Sequence, residues 1–269
     1  MIFADLDLAK RLERAEGYAC AQFAEARKRL YPTSGSEWTE IAGAYVVFDG
    51  VDSPTTQTFG LGLFEEMNAP ALARIEKFFL DRGAQVNHEV SPLVGPLALD
   101  LLCSRNYRPI EVSNALYRLV ENPTAQRPTN IRVHITGREE AELWGSVSTR
   151  GWTFEHPELG EFMEQAAILC AARANSPCFL AELDGEPAAA GVLSLHEGVA
   201  LFGGSTTVPE HRCRGLQGAL LEERMRYAFE QGCDLAMMVA EAGSNSQRNA
   251  ERKGFRVAYT RMKWQLARA

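Results

Sequence analysis

Between Val199 and Gly232 the chain switches from strand-like to helical periodicity, and the switch point constrains its fold more than any other feature. Val199 to Thr207 (VALFGGSTT) reads as a strand, Pro209 ends it, and Gly215 permits a tight turn that a Cβ would obstruct. Leu216, Leu220, Leu221, Met225, Ala228 and Phe229 then recur at helical spacing, and Gly232 marks a C-terminal stop. A helix is therefore expected to start near Gly215. The N–H groups of its first turn lack intrahelical partners and carry partial positive charge, and Arg212 and Arg214 add formal charge beside them. The spacing alone predicts an anion cradle.

This stretch, VPEHRCRGLQGALL from Val208 to Leu221, resembles the cofactor loop of the GNAT superfamily, the Gcn5-related N-acetyltransferases, whose signature is Q/R-x-x-G-x-G/A. The chain reads Arg212, Gly215 and then Gln217, where glycine or alanine is usual. A helical residue supplies the same N–H from Gln217, so its side chain is expected to point away from the phosphates. The Pro209-Glu210 pair, a buried strand from Asp234 to Ala240 and a closing helix with the ending Gly254-Phe255 follow in the family's order. The resemblance covers the C-terminal half. It implies acetyl-CoA as acyl donor, with the coenzyme A pyrophosphate held by Arg212, Cys213, Arg214, Gly215, Leu216, Gln217 and Gly218. It also implies that pantetheine inserts between two splayed strands and meets the main chain around Thr206, Thr207 and Val208. As side chains, Thr206 and Thr207 read equally well as ordinary strand residues.

At 269 residues the chain fits one large or two ordinary domains. Its 46% apolar residues and mean hydropathy of -0.20 suit a soluble globule. No apolar run approaches the roughly 18 residues of a membrane helix, and the start MIFADLDLAKRL is too charged for a signal peptide, so a cytoplasmic location without membrane partners is expected. A net charge of -7 with pI near 5.4 argues against nucleic acid and mildly favours a cationic acceptor. The six cysteines (Cys20, Cys103, Cys170, Cys178, Cys213 and Cys233) have no metal-ligand spacing and read as buried free thiols. No metal is expected.

Glu121 to Asn130 (ENPTAQRPTN) has two prolines and no periodicity, and reads as a linker between residues 1–120 and 131–269. The second half opens with a strand, Ile131 to Ile135, followed by helices around Glu139 to Val147 and Glu158 to Arg173. Strands Cys178 to Leu183 and Ala188 to Leu195 flank an Asp184-Gly185 turn, and a Glu197-Gly198 turn leads to the strand that feeds the cradle. Strand, two helices, a three-strand meander, helix, strand, helix and strand is the GNAT order. The expected fold is α/β, of the α+β type, with two tandem GNAT-like domains, each a mixed, mostly antiparallel sheet flanked by helices.

The first half echoes the second. FFLDRGAQV (Phe78 to Val86) matches YAFEQGCDL (Tyr227 to Leu235), and SRNYR (Ser104 to Arg108) matches RKGFR (Arg252 to Arg256), at offsets of 149 and 148 positions. Two matches at nearly one offset argue for an internal duplication, against the alternative of two helix-strand units that merely look alike. Asn106 stands where Gly254 stands, and asparagine tolerates the left-handed backbone that glycine adopts. Both segments continue into terminal strands, Ile110 to Leu119 and Val257 to Leu266. Where the second half has Arg212 to Gly218, the first has Phe64-Glu65-Glu66-Met67-Asn68-Ala69-Pro70, without arginine or a glycine turn. It is not expected to bind coenzyme A.

Acyl transfer from a thioester to an amine requires alignment, oxyanion stabilisation and proton movement. The resemblance puts the thiolate-protonating tyrosine of many relatives at Ala250 and a pantetheine-binding asparagine at Gly243, leaving Ser244, Asn245, Ser246 and Asn249 as replacements. Ser246 is also the expected N-cap of the last helix. Glu241, just past the fifth strand, is the first candidate base, followed by Glu182 and His196; each also reads as a solvated or structural group. Arg248 and Arg252 share a helix face that either approaches the adenosine phosphates or is simply solvated. Trp144, Trp152, Phe154 and His156 are candidates for an aromatic wall of the acceptor site, and core packing accounts for Trp144 equally well. The resulting expectation is direct transfer in a ternary complex to an amine of a small molecule or peptide. Its rivals are a non-catalytic acyl-CoA sensor, a transferase for longer acyl chains, and transfer to a hydroxyl.

Overall fold

The computed structural model describes residues 3–122, 130–154 and 157–267. Most of the expected linker and His156 therefore lie outside the described residues. By internal contacts the chain separates into two compact units, residues 1–117 with 237–269, and residues 118–236.

Elements are numbered in chain order. The first unit begins with α1 (Leu6–Leu30), β1 (Glu37–Ile41), β2 (Ala44–Phe48), β3 (Gln57–Phe59), α2 (Ala69–Leu80), β4 (Asn87–Val90), α3 (Pro96–Ser104) and β5 (Tyr107–Leu119). The second contains β6 (Ile131–Ile135), α4 (Ala141–Thr153), α5 (Gly160–Ala172), β7 (Cys178–Leu183), β8 (Glu186–His196), β9 (Val199–Thr207) and α6 (Leu216–Glu230). β10 (Leu235–Glu241), α7 (Asn245–Arg252) and β11 (Arg256–Leu266) complete the chain. The second half thus follows the expected order. α4 differs from expectation by running past Val147 through Gly151, because a Cβ at Gly151 would overlap the Thr206 side chain: this glycine permits close helix-strand approach and does not end the helix.

In the 118–236 unit the strands lie in the order β9-β8-β7-β6, each pair antiparallel. The β7–β8 and β8–β9 turns place Asp184-Gly185 and Glu197-Gly198 at positive φ, as two-residue hairpins of this twist require. α4 and α6 both pack against β8, so its run of alanines is buried without polar alternation. α6 is held by Leu216, Leu220, Leu221 and Met225, whose burial contributes about 1.5–3 kcal/mol each.

In the other unit the order is β1-β2-β3-β4-β11-β5-β10. β11, the last strand of the chain, pairs antiparallel with β4 (Trp264↔His88) and with β5 (Tyr259↔Ala115). It therefore lies between two strands of the first half. α1 covers one face, its N-terminus capped by Asp5, whose carboxylate accepts from the Leu8 N–H at 3.0 Å. Beneath it, buried Arg261 meets Glu13 at 3.0 Å and Glu89 at 3.2 Å, and also pairs with Glu16. Burial pushes the Glu13 and Glu89 carboxyls above their ordinary range, against the lowering effect of Arg261.

The echo between halves persists in backbone detail. Gly83 and Gly232 both take positive φ after α2 and α6, and donate at 3.0 Å to Leu80 and Phe229, which share their offset. Asn106 (φ +65°) and Gly254 (φ +84°) repeat the pattern after α3 and α7, bonding to Cys103 and Glu251.

Candidate functional site

α6 starts one residue after Gly215, which takes φ +88° and provides no side-chain cap. The Ala219 N–H closes on the Gly215 carbonyl at 3.1 Å, so the N–H groups of Leu216, Gln217 and Gly218 point out of the helix end. Cys213 and Arg214 are exposed on the approach, Arg212 is half-buried, and Leu216 is buried in the core beneath. An uncapped helix terminus with two guanidinium groups on its loop fits a pyrophosphate.

The loop also closes on the end of β9. Arg212 Nε donates to the Thr207 carbonyl at 3.3 Å and Nη2 to the Gly151 carbonyl at 3.4 Å, while its guanidinium lies 5.0 Å from the Phe154 ring centroid. Gln217 Nε2 donates to Thr207 Oγ1 at 2.8 Å, so its side chain folds onto the strand end. Val208 is buried and its N–H bonds to Ala188 at 3.0 Å.

Arg224 could not be found from its helical position, which reads as solvated surface. It is 2% exposed and donates from Nη1 to the carbonyls of Val192 (3.1 Å) and Gly203 (3.3 Å). These flank the register shift between Ala190 and Val192, so the guanidinium satisfies carbonyls at a β-bulge just upstream of the cradle. Burial lowers its pKa to about 9. The available signal was glycine on both strands at the shift, Gly191 on β8 and Gly203 and Gly204 on β9.

The remaining candidates belong to the other compact unit or have structural partners. Glu241 is the exposed last residue of β10, and Asn245, Ser246 and Asn249 are exposed on α7. The α7 N-cap is Ser244, not Ser246: it follows Gly243 (φ +81°), takes extended dihedrals, and its Oγ accepts from the Gln247 N–H at 3.2 Å. The Ser244-x-x-Gln247 spacing of a capping box signals this position. Ala250 is 2% exposed, packed as a core residue. Arg248 and Arg252 are exposed. Glu182 pairs with Arg132 at 3.5 Å, and His196 lies 3.9 Å from Glu197. Trp144 is core, with Nε1 donating to the Phe179 carbonyl at 3.1 Å; Trp152 is half-buried and Phe154 is exposed. All six cysteines are free, but only Cys178 and Cys233 are buried as expected: Cys20 and Cys170 are half-buried, and Cys103 and Cys213 are exposed, each at or near a helix terminus facing outward. Burial pushes the Cys178 thiol well up. Among the described residues no cluster of His, Cys, Asp and Glu could hold a metal, and no helix is long and apolar enough to cross a membrane.

The N-terminus of α2 contrasts with that of α6. Asn68 Oδ1 accepts from the Ala71 N–H at 2.9 Å, and Pro70 removes another donor. A capped helix end behind Glu65 and Glu66 does not offer the donors of an anion site.

An antiparallel meander leading to an uncapped, arginine-flanked helix terminus is the arrangement this α/β chain presents. A model of the acetyltransferase (GNAT) family matches residues 141–255. A GCN5-related N-acetyltransferase from Kribbella flavida superposes with a TM-score of 0.65 at 17% identity, covering 93% of this chain and 96% of that one. A GCN5-related N-acetyltransferase from Sphaerobacter thermophilus gives 0.55 at 16% identity over 95% and 93%. A tandem GNAT protein from the clavulanic acid biosynthesis pathway gives 0.56 at 13% identity over 100% and 98%. Likeness at these identities concerns fold. No curated protein matches the sequence.

Proposed function

We propose that residues 131–269 bind acetyl-CoA and transfer its acetyl group directly to an amine of a small molecule or peptide. Residues 1–120 are then a GNAT-like repeat without a cofactor site. The carrying observation is the α6 terminus, where Gly215 leaves the N–H groups of Leu216, Gln217 and Gly218 uncapped beside Arg212 and Arg214. Its capped counterpart at α2 supports one cofactor per chain. Acetyl-CoA, when bound, supplies the thioester. Thr207 and Val208 would orient the donor, Cys213 would contribute backbone to the cradle, and Asn245, Ser246 and Asn249 would offer polar contacts. Glu241, exposed at the end of β10, is the proposed base for the incoming amine.

Core packing at Ala250 favours a second reading, a non-catalytic acyl-CoA-binding module, since an alanine cannot protonate the thiolate. The magnitudes favour turnover nonetheless. Alignment contributes about 7–11 kcal/mol, whereas a general acid contributes about 3–5 kcal/mol. A thiol of pKa about 8.5 leaves tolerably when water protonates it.

Calorimetry with coenzyme A should give one site per chain, and acetyl-CoA with a panel of amines should release free thiol. Binding without release for any acceptor would support the sensor; two sites per chain would refute the proposed loss of the first site.

A further inference from the structure

Gln217 stands at the one departure from the loop signature, and its side chain is engaged. From the first turn of α6 it reaches back over the Gly215 turn to Thr207 Oγ1 at 2.8 Å. Thr207, the last residue of β9, is 8% exposed, and its carbonyl accepts from Arg212 Nε at 3.3 Å. Two loop residues thus converge on one threonine, one at the hydroxyl and one at the carbonyl. Glycine or alanine at position 217 would leave the gap between helix terminus and strand end without a side-chain bridge.

We propose that Gln217, its side-chain amide oriented by Thr207, makes the cradle selective for the pantetheine-bearing cofactor over nucleotides carrying only the pyrophosphate. The inference rests on the acetyl-CoA reading. The N–H groups of α6 and the loop arginines recognise a pyrophosphate, which every nucleoside diphosphate also carries. Against 3′-phospho-ADP, which shares the nucleoside and all its phosphates, discrimination must come from the groups that follow the pyrophosphate, and in coenzyme A these include the amides of pantetheine. A side-chain amide has two donors and an acceptor. The bond to Thr207 uses one donor, leaving an N–H and a carbonyl oxygen complementary to a secondary amide. A site with such groups rejects a ligand that cannot pair with them.

The test is calorimetry on the full chain with two ligands, coenzyme A and 3′-phospho-ADP, which lacks the pantetheine. Gln217→Ala installs a usual family residue and keeps the helix N–H, and Thr207→Val removes only the hydroxyl's bonding. Each should weaken coenzyme A about tenfold while 3′-phospho-ADP changes less than about twofold, as expected for one hydrogen-bonded contact confined to the arm. The double variant should bind coenzyme A no more weakly than the poorer single variant, because both act through one bond. Equal weakening of the two ligands, additive losses, or unchanged coenzyme A binding by Gln217→Ala would overturn the proposal. If the unaltered protein binds neither ligand, the acetyl-CoA reading itself fails and the inference falls with it.

Discussion

Gly151 and Gly215 show how differently one residue type can act. At Gly215 the backbone takes φ +88° immediately before a regular apolar repeat, so its role as the hinge of the cradle follows from local sequence. At Gly151 the reason lies in Thr206, far away in the chain, and nothing nearby distinguishes close approach from a helix end. Gly151→Ala should destabilise the protein by about 1–3 kcal/mol through overpacking of α4 on β9. Denaturant unfolding reads this directly, and adding Thr206→Ala should recover much of the loss by making room. A Gly151→Ala variant with unchanged midpoint would show that α4 does not lie this close. Arg224 was illegible for a related reason. A charged side chain on a helix reads as solvated until the bulge carbonyls it satisfies are brought beneath it.

Elements with strong local signals were legible. Strands β6, β7 and β9 occupy their expected residues, and α6 starts where its apolar repeat and Gly215 indicate. Strand β4 carries chemistry that local pattern does not reveal. Its His88 is fully buried, with Nε2 3.0 Å from Tyr107 Oη, which donates to Glu76, the partner of Arg105. Burial lowers the His88 pKa to about 3, from an ordinary 6.5. Between those values the unfolded chain binds the proton and the folded chain does not. Stability from this group is therefore full above pH 6.5 and is lost as pH falls towards 3, by roughly 3–6 kcal/mol in total. Glu13 and Glu89 act with the opposite sign: their raised values favour the fold at low pH, and that contribution is lost as pH rises through them. Comparison with His88→Gln isolates the histidine. Urea unfolding across pH 7 to 4 should show the unaltered protein losing stability more steeply by about one proton; parallel curves would exclude a buried neutral His88.

On the scale of the molecule, the sequence repeat and the compact unit are not the same piece of chain. The matched segments were readable in the sequence, but pairing of β11 with β4 and β5 was not, because strand partners remote in sequence leave no local periodicity. The pairing makes residues 1–120 dependent on residues 256–266. Without β11, β4 and β5 lose their shared neighbour, and the core around Leu72, Ile75 and Phe79 loses Trp264, Met262 and Leu266. Glu13 and Glu89, both buried, would also lose Arg261. A fragment of residues 1–120 is accordingly expected to lack a cooperative unfolding transition and dispersed amide resonances, and to gain both when a peptide of residues 245–269 is added. In the full chain, Arg261→Met should cost about 3–5 kcal/mol by leaving buried Glu13 without its cation and Glu89 with only Lys263. The loss should shrink as pH falls and Glu13 and Glu89 take up protons, since their folded-state values already lie above the ordinary range. A 1–120 fragment that folds alone, with a cooperative transition unaffected by the peptide, would show that the first repeat does not need the strand inserted into it.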